Sequence, residues 1–147
     1  MKIVIDLQGA QTESRFRGIG RYSISLAKAI VANAGEHDVY IALSKSLPCP
    51  IEDIRAAFQQ LLPQERIVAF SVPDGTAELR CTSPFRARAA ELLREQFLAG
   101  LKPDVVLLTT LFEGLGNDSV TSIGLLPHTY LSAVVVYDLV PLAMPQD

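Results

Sequence analysis

Long apolar runs, metal-ligand clusters and a surplus of either charge are all missing from this sequence. No apolar stretch approaches the ~20 residues that a membrane-spanning helix needs. Lysine and arginine number 13 against 16 aspartate and glutamate, and the net charge of -3 gives no basic face for nucleic acid. Cysteine occurs twice, at Cys49 and Cys81, without metal-ligand spacing, and the pair reads as two reduced thiols of a cytosolic protein. The two histidines, His37 and His128, fall in expected turns and form no metal or nucleophile constellation. A Gly-x-Ser-x-Gly elbow is absent, and so is a phosphate loop ending in Gly-Lys-Ser/Thr. Hydrolase and kinase readings are therefore poor. Met1 runs directly into strand-like sequence, so no signal peptide is expected.

What is present is enough for a folded domain. Hydrophobic residues make up 49% and charged residues 20% of 147. One domain of this size buries roughly 70% of the surface its unfolded chain exposes. Apolar runs alternate with helical periodicity, the pattern of a parallel sheet with crossover helices. Strands are expected at Lys2 to Leu7, Val39 to Leu43, Arg66 to Phe70, Val105 to Leu108 and Ala133 to Tyr137. Helices are expected at Gly18 to Ala34, Ile51 to Leu62 and Phe85 to Leu101, the second bracketed by prolines. On the third helix Arg86, Arg88, Glu91, Arg94 and Glu95 are assigned to the solvated side. The long connection from Thr109 to Tyr130 has room for a short helix over Asp118 to Leu126. The expected architecture is a doubly wound, mostly parallel α/β sheet, whose ligands bind beyond the carboxyl ends of the strands.

The junction between the first strand and first helix has the most chemical content. Gly18 and Gly20 let backbone N–H groups approach a ligand without an intervening Cβ. A helix N-terminus offers free donors and partial positive charge, and Arg15, Arg17 and Arg21 flank it. The expectation is an anion-handling bend at the rim of a crevice; a purely structural turn is the alternative. No third glycine completes a dinucleotide fingerprint, and Leu43-Ser44-Lys45 ends the second strand where an acidic residue would grip a ribose. Three carboxylates lie on the ligand side of the sheet. Asp6 either binds loop N–H groups or faces a ligand, Glu113 in Phe112-Glu113-Gly114 is either solvated or in contact, and Asp138 either caps a turn or touches substrate.

Together these segments resemble the N-terminal domain of bacterial glycosyltransferases of the GT-B fold, family 4. The resemblance rests on Ile3-Val4-Ile5-Asp6, Gly18-Ile19-Gly20-Arg21-Tyr22, Lys102-Pro103-Asp104-Val105-Val106, Leu111-Phe112-Glu113-Gly114 and Tyr137-Asp138-Leu139-Val140-Pro141. It spans essentially the whole chain and is closest to mannosyltransferase-type members that build lipopolysaccharide or related surface polysaccharide. It implies a Rossmann-like acceptor-side domain over residues 1–147, with a C-terminal donor-binding domain outside this chain. It further implies a nucleotide-sugar donor resembling GDP-mannose, a glycan acceptor, retention at the anomeric carbon, no cofactor and no metal. The implied substrate contacts are Gly18, Ile19, Gly20, Arg21, Tyr22, Phe112, Glu113 and Gly114, with Tyr137 and Asp138 at the catalytic end. Tyr137 stands where many relatives have histidine, and a phenol with a pKa near ~10 is a poor base at neutral pH. The implied location is cytoplasmic, with room for peripheral association at the inner face of the plasma membrane. A non-catalytic α/β binding or interaction module is the competing reading.

Overall fold

The computed structural model describes residues 1–137. A five-stranded sheet runs through its centre, made of β1 (Lys2–Asp6), β2 (Asp38–Ser44), β3 (Ile67–Phe70), β4 (Val105–Leu108) and β5 (Leu131–Val134). All neighbours are parallel, in the order β3-β2-β1-β4-β5. Parallel neighbours need a crossover connection. Three of these are helical: α1 (Gly18–Ala32), α2 (Ile51–Phe58) and α3 (Pro84–Gly100). The sheet order reverses between β1 and β4, so a crevice is expected beyond their carboxyl ends.

The period-two alternation of the strands divides the core into two layers. Ile5, Val39, Ile41, Leu43 and Ile67 face one side, where Ile54 and Phe58 of α2 and half-buried Ile24, Ile30 and Val31 of α1 meet them. Val4, Ala42, Val106 and Leu108 face the other side and meet Leu98 and Phe97 of α3. The buried positions of α1 are Gly20, Ser23 and Ala27, all small, so the helix backbone lies close to its support. At the start of α3, Pro84 occupies the first turn and the Ser83 hydroxyl accepts from Arg86 N–H at 3.4 Å.

Helices α1 and α2 end short of the expected Ala34 and Leu62, and other expectations change as well. The fifth strand is Leu131–Val134, because its ladder begins where Leu131 pairs with Val105, two residues before Ala133. No helix forms over residues 118–126; that segment is extended or bent, and other parts of the chain use its polar backbone. Arg94 and Glu95 are not solvated but 1% exposed each. With Ala90 and Leu98, Arg94 completes an i, i+4 row on the covered side of α3. Cys49 and Cys81 are both free thiols. No described helix is long and apolar enough to cross a membrane.

Candidate functional site

The floor of the strand-end surface is a buried polar network. Asp6, the last residue of β1, accepts from Arg94 Nε at 2.8 Å and is also paired with Arg94 Nη2. Arg94 Nη1 donates to the Ser122 carbonyl at 2.9 Å, tying α3 to the long connection. The Gln8 amide donates to both Asp6 oxygens at 3.1 and 3.0 Å and to the Val120 carbonyl at 2.8 Å, while its own oxygen accepts from Val120 N–H at 3.1 Å. Gln11 performs the same backbone mimicry at the end of β2, accepting from Ser44 N–H at 2.7 Å and donating to Ser44 O at 2.8 Å. Charges this deep persist only when paired and fully hydrogen-bonded. Of the two readings of Asp6, the one holding the loop is what the structure shows.

Above the floor, the glycine bend divides. Gly18 is exposed with open space where a Cβ would lie. Gly20 is packed inward: a Cβ there would overlap Arg15 Cα and stand 2.5 Å from the Ser14 carbonyl oxygen. Gly20 therefore serves a close approach between α1 and the 3₁₀ turn at Glu13–Phe16, not access for a ligand. The arginines divide likewise. Arg15 turns away, with Nη1 at 2.7 Å from Cys49 Sγ and 3.4 Å from Asp53, over the Phe16 ring. Arg17 and Arg21 are exposed and make no ion pair among the described residues. Among the described residues no side chain caps α1, so none of them supplies a side-chain acceptor to its first-turn N–H groups.

Residues 109–122 form the opposite wall. The Thr109 hydroxyl donates to the Asp6 carbonyl at 2.9 Å. The Asp118 carboxylate accepts from three successive backbone N–H groups, Gly75, Thr76 and Ala77, at 2.8 to 2.9 Å. Burial acts upward on the Asp118 pKa, yet those N–H groups and the Arg80 charge outweigh it and hold the carboxyl below its ordinary range. Glu113 behaves oppositely. Burial pushes its pKa up, and one hydrogen bond from Asn117 at 3.1 Å offsets this only in part. Gly114 has φ 98° and faces the Ser119 carbonyl, so this turn requires glycine. Phe112 is 44% exposed on the same turn. Between this wall, the loop after β3 and α3 lies a cleft of about 450 Å³.

Tyr137 joins the two walls. Its hydroxyl donates to the Thr109 carbonyl at 2.9 Å and shares a hydrogen bond of 2.9 Å with Ser23 of α1. Its ring meets Tyr22 edge-on at 5.3 Å, and the Ile19 carbonyl lies 3.5 Å from its oxygen. Burial raises its pKa; the Ser23 hydrogen bond works against this, and the nearby Tyr22 and Glu113 add to the rise. The fold thus brings Ile19, Tyr22 and Tyr137 together with Ser23 and Thr109. Asp138 lies outside the described residues.

Sequence reasoning passed over Arg94, Gln8, Gln11 and Asp118. For Arg94 the signal was present in its i, i+4 spacing from Ala90 and Leu98. The glutamines carried none, since an amide that replaces a backbone ladder partner is identified only by its partner 33 or 112 residues away.

Over 143 residues the chain is 36% identical to the serotype-specific mannosyltransferase WbdA of Escherichia coli, a stretch covering 97% of this chain and 17% of that protein. Another WbdA sequence from Escherichia coli is 32% identical over 118 residues, 80% of this chain and 14% of that protein. The chain therefore spans less than a fifth of the length of these curated relatives. No family model matches it. No solved structure matches it either.

Proposed function

We propose that this chain is the acceptor-side, N-terminal domain of a retaining glycosyltransferase, one that transfers a hexose, specifically mannose, from a nucleotide-sugar to a growing surface polysaccharide. The observation that carries the reading is the 36% identity to a mannosyltransferase across nearly the whole chain. An α/β sheet with its switch point at β1 and β4 supports it. In this reading the α1 N-terminus, Arg17 and Arg21 face the diphosphate of a GDP-mannose-like donor, and Gly18, Ile19, Arg21 and Tyr22 with Phe112 to Gly114 line the substrate crevice. Departure of the diphosphate concentrates negative charge, which helix donors and guanidinium groups offset. A helix end contributes ~0.3–1 kcal/mol when exposed and up to ~2 when partly buried. That assists transfer without sufficing for it, so a C-terminal donor-binding domain provides the remaining contacts.

Tyr137 acts here as a positioning residue. Its raised pKa keeps the phenol protonated at neutral pH, and its hydroxyl is already committed to Thr109 and Ser23. Asp138, next in sequence, is the proposed polar contact to the reacting sugar. The site of action in this reading is the cytoplasmic face of the plasma membrane.

The test is turnover with GDP-mannose and a mannose-terminated acceptor. The chain alone should give no product, whereas the same chain joined to the sequence that follows it in its gene should. Product from the chain alone would refute the half-enzyme reading. Absence of transfer by the longer protein with every nucleotide-sugar offered would refute the enzymatic one.

A further inference from the structure

The two edges of the sheet are treated unequally. At β3 the Phe70 carbonyl bonds Lys45 N–H on the β2 side, so by alternation the Ile67 carbonyl points outward. Arg55 Nη2 occupies that carbonyl at 3.1 Å, and Ile67 and Phe70 are both buried. At β5 Leu131 is 72% exposed, Ser132 and Ala133 are exposed, and Val134 is half-buried. The N–H groups of Leu131 and Val135 bond to β4 at 2.9 and 3.0 Å. The N–H and C=O groups of Ser132 and Val134 therefore point away from β4, and among the described residues nothing hydrogen-bonds to them. Strands of an all-parallel sheet are ordinarily covered on both faces, and an open edge is a template for another strand.

Topology selects the occupant. Helices α1 and α2 carry the chain from β1 to β3 on one face, and α3 with residues 109–130 carries it to β4 and β5 on the other. Both steps are right-handed crossovers, and one more step outward continues the series on the α3 face. A parallel neighbour returns only after a dozen or more residues, which, counted from Val134, places it past Asp147. The stretch matched in WbdA is 17% of that protein, so most of its length lies outside the match. A second copy fits less well. A two-fold contact would pair β5 with itself, and only Ser132 and Val134 offer outward groups. Those few bonds would have to offset an entropy of association that a strand of the same polypeptide does not lose. We propose that β5 is an internal strand of the longer protein, its free edge filled by a sixth parallel strand from the sequence after Asp147. That strand bonds Ser132 and Val134 and flanks Leu131 and Ala133. Its presence is independent of the reaction catalysed.

Amide hydrogen exchange, read residue by residue in mass spectrometry, tests this on the chain alone and on the chain joined to the sequence that follows it in its gene. In the chain alone, Leu131 and Val135 should be protected while Ser132 and Val134 exchange at close to the unstructured rate. In the longer protein Ser132 and Val134 should slow by ~100-fold or more, because a ladder amide exchanges only when the sheet opens. Equal rates for these two amides in both proteins would overturn the proposal. Protection that rises with concentration in the chain alone, with a dimer in sedimentation, would give the edge to a second copy and overturn it as well. Ser132→Pro removes one outward donor, which an open edge tolerates and a paired strand does not. It should leave Leu131 and Val135 within ~3-fold of wild type in the chain alone and speed Val134 by ~10-fold or more in the longer protein. Val134 unmoved by Ser132→Pro in the longer protein would count against a sixth strand there.

Discussion

Two carboxylates at the ends of adjacent strands have opposite fates. Asp6 ends β1 and is sealed under the surface by Arg94 and Gln8. Glu113, beyond β4, is half-buried with one amide for company. The first is a satisfied charge that fixes three pieces of chain. The second is left with acceptor capacity at the mouth of a cleft. The fold therefore places its buried ion pair in the floor and leaves Glu113 at the rim with spare acceptor capacity.

The sharpest way to break that contrast is to strip the floor. Arg94→Met should cost about 3–5 kcal/mol in urea denaturation by leaving Asp6 buried and unpaired. Adding Asp6→Asn should restore part of the loss, because the stranded charge is then gone. A cost under ~1 kcal/mol would mean that the floor is wetter than the structure shows. Next comes the bend. Gly20→Ala should destabilise by about 1–3 kcal/mol through overlap with the Ser14 and Arg15 backbone, and Gly18→Ala should stay within ~0.5 kcal/mol. Equal effects at the two glycines would erase the distinction between packing and rim.

Asp118→Ala should cost about 1–2 kcal/mol by freeing three N–H groups of the loop after β3. Its pKa is lowered on folding, so this stabilisation is present above 3.8 and fades as pH falls through the folded value. A chemical-denaturation series from pH 7 downward should show wild type and variant converging. Glu113→Gln gives the smallest change and the opposite sign. A raised pKa favours the protonated fold, so native stability declines as pH climbs above 4.5, and the variant should be slightly more stable at pH 7. The advantage should be under ~1 kcal/mol for this partly exposed group and close below pH ~4. A variant less stable at neutral pH would place Glu113 in the floor with Asp6.

The strands and crossover helices were legible because each is written in local periodicity. Lys2–Asp6 and Val105–Leu108 read as near-continuous apolar runs, the mark of strands covered on both faces. Where local signals were thin, boundaries moved: α2 stops at Phe58, before the Leu62 expected from Pro63. The candidate site was legible as loops but not as contacts. Phe112 to Gly114 and Gly18 to Tyr22 were selected for lying beyond strand ends, whereas the bridge that Tyr137 makes between Thr109 and Ser23 depends on partners 28 and 114 residues away.

By itself, then, the sequence determined the α/β class, the strand–helix alternation and which loops emerge at the carboxyl edge, since periodicity and crossover geometry are properties of short stretches. Only the tertiary structure decided that Arg94 is a buried partner instead of a solvated charge, that Gly20 packs while Gly18 stays open, and that Glu78, Glu91 and Glu113, from three separate segments, share one cleft. A charge's surroundings are set by residues distant in the chain, and a periodic pattern contains no information about which distant residues those are.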